Sequence, residues 1–146
     1  MRRMRREDLA QVLAIERESF PLPFSENLFH MELGLNIAHM LVAVEGEVVY
    51  GYVDFWHVDN EMHIINIAVA PVKRGQGIGS FLMESVVSYA QEHKVDHIYL
   101  DVRESNYRAI ALYRRYGFEQ VDIRKGYYQD NEEDALVMVR NFNDER

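Results

Sequence analysis

No cysteine occurs in this chain, which excludes disulfides, thiolate metal sites and a cysteine nucleophile. Prolines number only three, and no stretch rich in Pro, Gly or Ser divides the 146 residues. A single domain over residues 1–146 is therefore expected, long enough to bury most of its apolar surface in one core. Long apolar runs are also missing; the longest fall far short of a bilayer span, so no membrane partner is expected. Arg2, Arg3, Arg5 and Arg6 resemble the basic start of a signal peptide, but an acidic amphipathic segment follows instead of an apolar one. These absences point to a cytoplasmic protein.

Positive charge is scarce. Sixteen Lys and Arg face 24 Asp and Glu, a formal net charge of −8. A nucleic-acid binder needs clustered cations to displace counterions, so nucleic acid is not an expected partner. The acidity favours a cationic partner such as an amine or a basic protein tail, and serves solubility equally well. Six histidines are scattered with no pair at ligand spacing beside carboxylates, which argues against a metal.

The patterns that are present alternate between two periods. Residues 7–19 place Leu9, Val12 and Leu13 at helical spacing, with Glu7 and Asp8 suited to a first turn. Phe20-Pro21-Leu22-Pro23-Phe24 must be extended or turning, and Ser25 can cap a second helix running to about Leu33. Strand-like runs follow at Met40–Glu45, Val48–His57 and Met62–Val69, separated by turn signals. Residues 78–92 read as a helix, His97–Val102 as a strand, residues 106–116 as a helix, and Phe118–Ile123 and Ala135–Val139 as closing strands. The meander predicts antiparallel pairs and the strand–helix–strand unit a parallel one. The expected fold is α+β (α/β), a mixed and mostly antiparallel sheet of six to seven strands flanked by about four helices.

Between the third strand and third helix lies Val69-Ala70-Pro71-Val72-Lys73-Arg74-Gly75-Gln76-Gly77-Ile78-Gly79. Glycines at 75, 77 and 79 let backbone N–H groups converge, and the helix dipole adds a positive end. That suits a pyrophosphate. The loop is neither a Walker motif nor a dinucleotide fingerprint, and from spacing alone a glycine-rich turn without a ligand remains open. Arg74-Gly75-Gln76-Gly77-Ile78-Gly79 resembles the Gln/Arg-x-x-Gly-x-Gly/Ala motif of the GNAT N-acetyltransferases, which cradles the pyrophosphate of acetyl-CoA. Asn66-Ile67-Ala68-Val69-Ala70-Pro71 resembles the family strand that pairs with the pantetheine arm. Ser105-Asn106, Ala109–Tyr113 and Tyr116–Glu119 resemble its last helix and the turn after it. The resemblance implies acetyl-CoA as cosubstrate, without a metal, held by Ile67, Ala68, Val69, Arg74, Gly75, Gln76, Gly77, Ile78, Gly79, Ser80, Asn106 and Tyr113.

Acetyl transfer to an amine needs positioning and proton management. An α-amine with a pKa of roughly 8 must shed a proton before attack, and the departing thiolate benefits from one. Tyr113 fits a core position by the spacing of Ala109, Leu112, Tyr113 and Tyr116; the resemblance instead implies a general acid facing the coenzyme A sulfur. Asp101 alternates with Leu100 and Val102, and a carboxylate in an otherwise apolar strand is paired or functional. Arg103, two residues along, is its expected partner if it is merely paired. The segment Leu100–Asn106 resembles the ribosomal-protein alanine N-acetyltransferase group, which usually carries glutamate at the position of Asp101. Aspartate loses roughly 1.3 Å of reach, so a water would relay the proton to this base. His63, on one face with Ile65, Ile67 and Val69, is a competing base, or simply a packed histidine.

Two more segments resemble that group. Phe20, Pro21, Phe24 and Ser25 belong to its substrate-side loop, and Tyr127 and Tyr128 to its doubled-tyrosine turn; packing alone also accounts for each. With Arg103 orienting the tail, these residues imply a groove for a peptide N-terminus, with a ribosomal protein as the expected acceptor. Acetylation of a small amine (a polyamine or an antibiotic) and non-catalytic sensing of acetyl-CoA are the alternatives. A monomer or weak homodimer is expected.

Overall fold

The computed structural model describes residues 1–21 and 23–143; Leu22, within the expected substrate-side loop, lies outside them. In chain order the elements are β1 (Arg2–Arg3), α1 (Leu9–Ser19), α2 (Glu26–Leu33), β2 (Ala38–Glu45), β3 (Val48–Val58), β4 (Glu61–Val69), α3 (Ile78–Glu92), β5 (His97–Arg103), α4 (Tyr107–Arg115), β6 (Glu119–Arg124) and β7 (Ala135–Asn141). The strands form one sheet ordered β1-β2-β3-β4-β5-β7-β6. Neighbours β4 and β5 run parallel, as the α3 crossover requires. The pairs β1–β2, β2–β3, β5–β7 and β6–β7 are antiparallel. This is the mixed, mostly antiparallel sheet with four helices that the patterns imply. Two compact units make up the chain: Met1–His57 with Ile65–Leu82, and Val58–Ile64 with Met83–Arg146.

In the first unit, Leu9, Val12 and Leu13 of α1 join Phe29, Met40, Val42, Val49 and Tyr52 in one apolar cluster. Each such side chain, fully buried, contributes roughly 1.5–3 kcal/mol. The α1 stripe continues one turn on with a carboxylate, Glu16, which is 1% exposed. α2 departs from its hydrophobic pattern in the same way: Phe29 and Glu32 are buried while Leu28 and Met31 are exposed. Both acids face polar groups on β3. Glu16 accepts from the Tyr52 hydroxyl and Glu32 accepts from Trp56 Nε1 at 2.8 Å. Gly51 is needed for close packing, because a Cβ there would stand 3.0 Å from Ile78 and 3.1 Å from the Ala68 carbonyl. The first turn of α3 is thereby pressed against β3. The N-terminal arginines are built into the fold: Arg2 and Arg3 pair with Val42 and Leu41, and Arg2 forks onto buried Asp8 at 2.7 and 2.8 Å.

In the second unit, β5 alternates strictly, with Ile98, Leu100 and Val102 buried and Tyr99, Asp101 and Arg103 half-buried. Ile110 and Tyr113 of α4 are buried with Phe118, Ala135 and Met138. Asn106 caps α4, accepting from Ala109 N–H at 3.2 Å. β6 is exposed along its whole length.

The fully buried Asp54, between Tyr52 and Trp56 on β3, has no hydrogen-bond partner for either oxygen among the described residues. Burial, reinforced by the nearby Glu32 carboxylate, pushes its pKa up to about 8. The folded protein therefore holds a proton that the unfolded chain releases near pH 4, so stability falls by up to ~1.4 kcal/mol per pH unit between those values. Asp54→Asn is expected to raise Tm at pH 8, with the gain shrinking toward pH 5. An equal gain at both pH values in a thermal melt would remove this carboxyl as the source.

Candidate active site

The glycine loop is built as its sequence requires. Gly75 and Gly77 adopt φ of +79° and +85°, in the left-handed region, and a Cβ at either would meet nothing within 4 Å. Their open faces leave the backbone bare where α3 begins at Ile78, the arrangement that receives a phosphate. Gly79 and Ser80 lie within the first turn of α3. Arg74 donates from Nε to the Val69 carbonyl at 3.1 Å and from Nη2 to Ser19 Oγ at 2.9 Å, tying the loop to the ends of β4 and α1. Gln76 donates to the Val72 carbonyl at 3.2 Å. Along β4, Ala68 is buried while Ile67 and Val69 are half-buried on the face they share with His63. The bare cradle at a helix start fits the pyrophosphate of acetyl-CoA.

The segment expected on the substrate side belongs to the same unit. Phe20 and Phe24 pack against the apolar cluster, and Phe24 meets Phe29 at 5.8 Å. Ser25 caps α2 by accepting from Leu28 N–H at 3.2 Å, while Pro21 is exposed. Beneath them sits a group the sequence reading passed over. Glu16 accepts from Phe24 N–H at 2.9 Å, from Asn66 Nδ2 at 2.5 Å and from Tyr52 Oη. Burial pushes its carboxyl up, and these donors partly offset the shift.

In the second unit, β4 and β5 pair at His63↔Tyr99, so His63, Asp101 and Arg103 project to one face. Asp101 is not paired to Arg103 as expected. Its partner is Arg124, whose Nε lies 3.3 Å from Oδ1. Arg103 is engaged elsewhere: it bonds Asp130 at 3.0 Å and Glu133 at 3.5 Å, and lies 4.0 Å over the Tyr128 ring. It thus holds the turn that carries Tyr128. Tyr127 meets Tyr128 edge-on at 5.1 Å and is half exposed.

Electrostatics join these side chains into one neighbourhood. Burial holds the His63 pKa below its ordinary value, the Asp101 charge raises it and Arg124 lowers it. The imidazole is therefore neutral at pH 7 and can accept a proton. Tyr128 is pushed up to about 12 by burial and by Asp101. Tyr113 is raised above the usual phenol range by burial and then by Tyr128, so it keeps its proton to donate. Asp101, His63, Tyr113 and Tyr128 are brought together; Asn106 is placed as a helix cap, and Arg103 as a clamp. Glu16 was legible as a carboxylate at the next turn of the Leu9–Val12–Leu13 stripe. Arg124 had no such signal, because its pairing depends on β7 lying between β5 and β6. Among the described residues, no cluster of three His, Asp or Glu could hold a metal, and no helix is long and apolar enough to cross a membrane.

Residues 9–118 match the model of the acetyltransferase (GNAT) family, so the chain belongs to that family and is an acetyl-CoA-dependent N-acetyltransferase. A Bacillus subtilis (strain 168) protein, provisionally assigned as a ribosomal protein bS18-alanine N-acetyltransferase, is 40% identical over 99% of this chain and 96% of its own. An N-alpha-acetyltransferase of Saccharolobus solfataricus is 34% identical over 96% of this chain and 91% of its own. The crystal structure of the ribosomal-protein-S18-alanine N-acetyltransferase from Escherichia coli matches with a TM-score of 0.88 at 30% identity, covering 95% of this chain and 90% of that one.

A β-branched side chain at the left-handed Gly77 costs on the order of 1–3 kcal/mol of strain, and the loop would relax away from its cradle. Gly77→Val is expected to raise the KM for acetyl-CoA about tenfold or more in steady-state assays. An unchanged KM would remove the loop from cosubstrate binding.

Proposed function

We propose that the whole chain works as one cytoplasmic transferase domain that acetylates the N-terminal α-amine of a protein, with a ribosomal protein as acceptor. The observation that carries the acceptor is near-full-length similarity to enzymes named for that reaction. Acetyl-CoA supplies the acetyl group, activated as a thioester. Gly75, Gly77 and the start of α3 hold its pyrophosphate, and the β4 backbone at Ile67–Val69 lines its arm. Asp101 removes the ammonium proton through a water, and neutral His63 beside it is the second proton acceptor. As the C–N bond forms and the C–S bond breaks, the Tyr113 hydroxyl gives its proton to the departing sulfur, and solvent restores it. Phe20, Pro21, Phe24, Ser25, Tyr127 and Tyr128 receive the peptide. Arg103 acts on it through Tyr128, because its guanidinium is already engaged by Asp130 and Glu133.

Loss of a general acid or base typically costs 10²–10⁴-fold. With acetyl-CoA and a panel of peptides, transfer to small first residues such as alanine is expected, with Asp101→Asn and Tyr113→Phe each lowering kcat by at least about a hundredfold. His63→Gln is expected to cost far less. Transfer only to polyamines or lysine side chains would overturn the acceptor assignment, and a larger loss from His63→Gln than from Asp101→Asn would reverse the two bases.

A further inference from the structure

Glu16 is a buried carboxylate that the chemistry above leaves unused and that, unlike Asp54, has donors on both oxygens. It is 1% exposed, it lies on α1, and it sits where a helix stripe of Leu9, Val12 and Leu13 calls for an apolar side chain. Burying a carboxylate is costly unless its oxygens are satisfied, and here three donors converge on it. Each donor comes from a different element. Tyr52 lies on β3, Asn66 on β4, and Phe24 in the segment before α2. Oε1 takes the Tyr52 hydroxyl and Asn66 Nδ2, and Oε2 takes the Phe24 N–H at 2.9 Å.

The two ends of this arrangement are the two substrate-binding elements of the first unit. Asn66, held by Glu16, accepts from the N–H of Ile67 at 3.1 Å, which sets the backbone where the acetyl-CoA strand begins. Phe24 follows Pro23, and Glu16 supplies the bond that fixes its backbone after two prolines have removed donors from the segment. The Phe24 ring then seats on Phe29. Arg74 of the glycine loop meets Ser19, three residues after Glu16 on the same helix, so α1 anchors that loop as well.

We infer that Glu16 is a positioning residue for the acceptor: through the Phe24 N–H it holds Phe24 and Ser25 in the shape that receives the peptide N-terminus. The inference rests on the peptide-acceptor reading, and it requires more than a contribution to stability. A carboxylate that only satisfied Tyr52 and Asn66 could do so without reaching Phe24. Its second oxygen is what extends the network to the segment.

Glu16→Gln leaves one oxygen and one amide where three donors converge, so the Phe24 and Asn66 N–H groups compete. Tyr52→Phe is the control, since it removes a donor from the same carboxylate without touching the Oε2 bond. In the full-length chain, Glu16→Gln is expected to raise the KM for an alanine-started peptide at least fivefold. The KM for acetyl-CoA should rise less than that for the peptide, and deuterium uptake at the Phe24 amide should rise. Tyr52→Phe should lower Tm but leave the peptide KM within twofold. If Glu16→Gln does not fold, Glu16→Asp, with its charge kept and its reach shortened, is judged by the same criteria. A lowered Tm with an unchanged peptide KM, or an equal rise in Tyr52→Phe, would overturn the inference. If the unaltered protein acetylates no peptide, the acceptor reading itself fails, and amide exchange at Phe24 still decides whether Glu16 holds the segment.

Discussion

Alternation along β4 governs much of what this protein does. Because successive strand side chains point to opposite faces, Met62, Ile64, Asn66 and Ala68 are buried while His63, Ile65, Ile67 and Val69 occupy the other face. The first set includes the amide that meets Glu16, and the second includes the histidine that feels Asp101. A slip of one residue would exchange the two sets. It would bury His63 in the place of Met62 or Ile64, set an isoleucine where Asn66 stands, and leave Glu16 without one of its three donors. The parallel pairing of His63 with Tyr99 then sets which β5 residues share the histidine's face, so the register of one ladder decides the neighbourhood of His63 and Asp101.

The face of β3 that carries Tyr52, Asp54 and Trp56 is unusual in meeting carboxylates from two helices. Glu16 and Glu32 both reach it from positions that helix periodicity would give to apolar residues. Such groups cost stability relative to a well-packed apolar core and in return admit few alternative arrangements. The two acids differ in consequence. Glu16 is met by donors on both oxygens, whereas the Asp54–Glu32 pair brings two carboxyls together, so a proton must remain on Asp54. The first arrangement fixes the backbone at Phe24; the second makes the attachment of α2 to β3 sensitive to pH.

A division of labour runs through the candidate site. The proposed bases Asp101 and His63 stand on strands, and the proposed acid Tyr113 on a helix. The residues proposed to meet the acceptor lie around Phe24 and around Tyr128, where side chains fix the backbone: Glu16 for one, Arg103 with Asp130 and Glu133 for the other. Loops of this kind carry specificity because the scaffold beneath them is rigid.

Local order explains what was readable. Each helix and each of the six longer strands was legible from its period, and the glycine loop from residues adjacent in the chain. The faces of Asp101, His63 and Tyr113 followed from the same counting. The family and the cosubstrate were legible through motifs of that kind. The two-residue β1 was not, because Arg2 and Arg3 have no period to display and take their place by pairing with Leu41 and Val42. Nor was the true partner of Asp101, since Arg103 is nearest in sequence while Arg124 becomes its neighbour through strand order. The network of Glu16, Tyr52, Asn66 and Phe24 draws on residues up to 50 positions apart. The sequence by itself determined the elements, their faces and the anion cradle, because those depend on neighbours within a turn or two. Tertiary structure alone decided which charges meet, because burial and long-range pairing arise only when distant segments share one core.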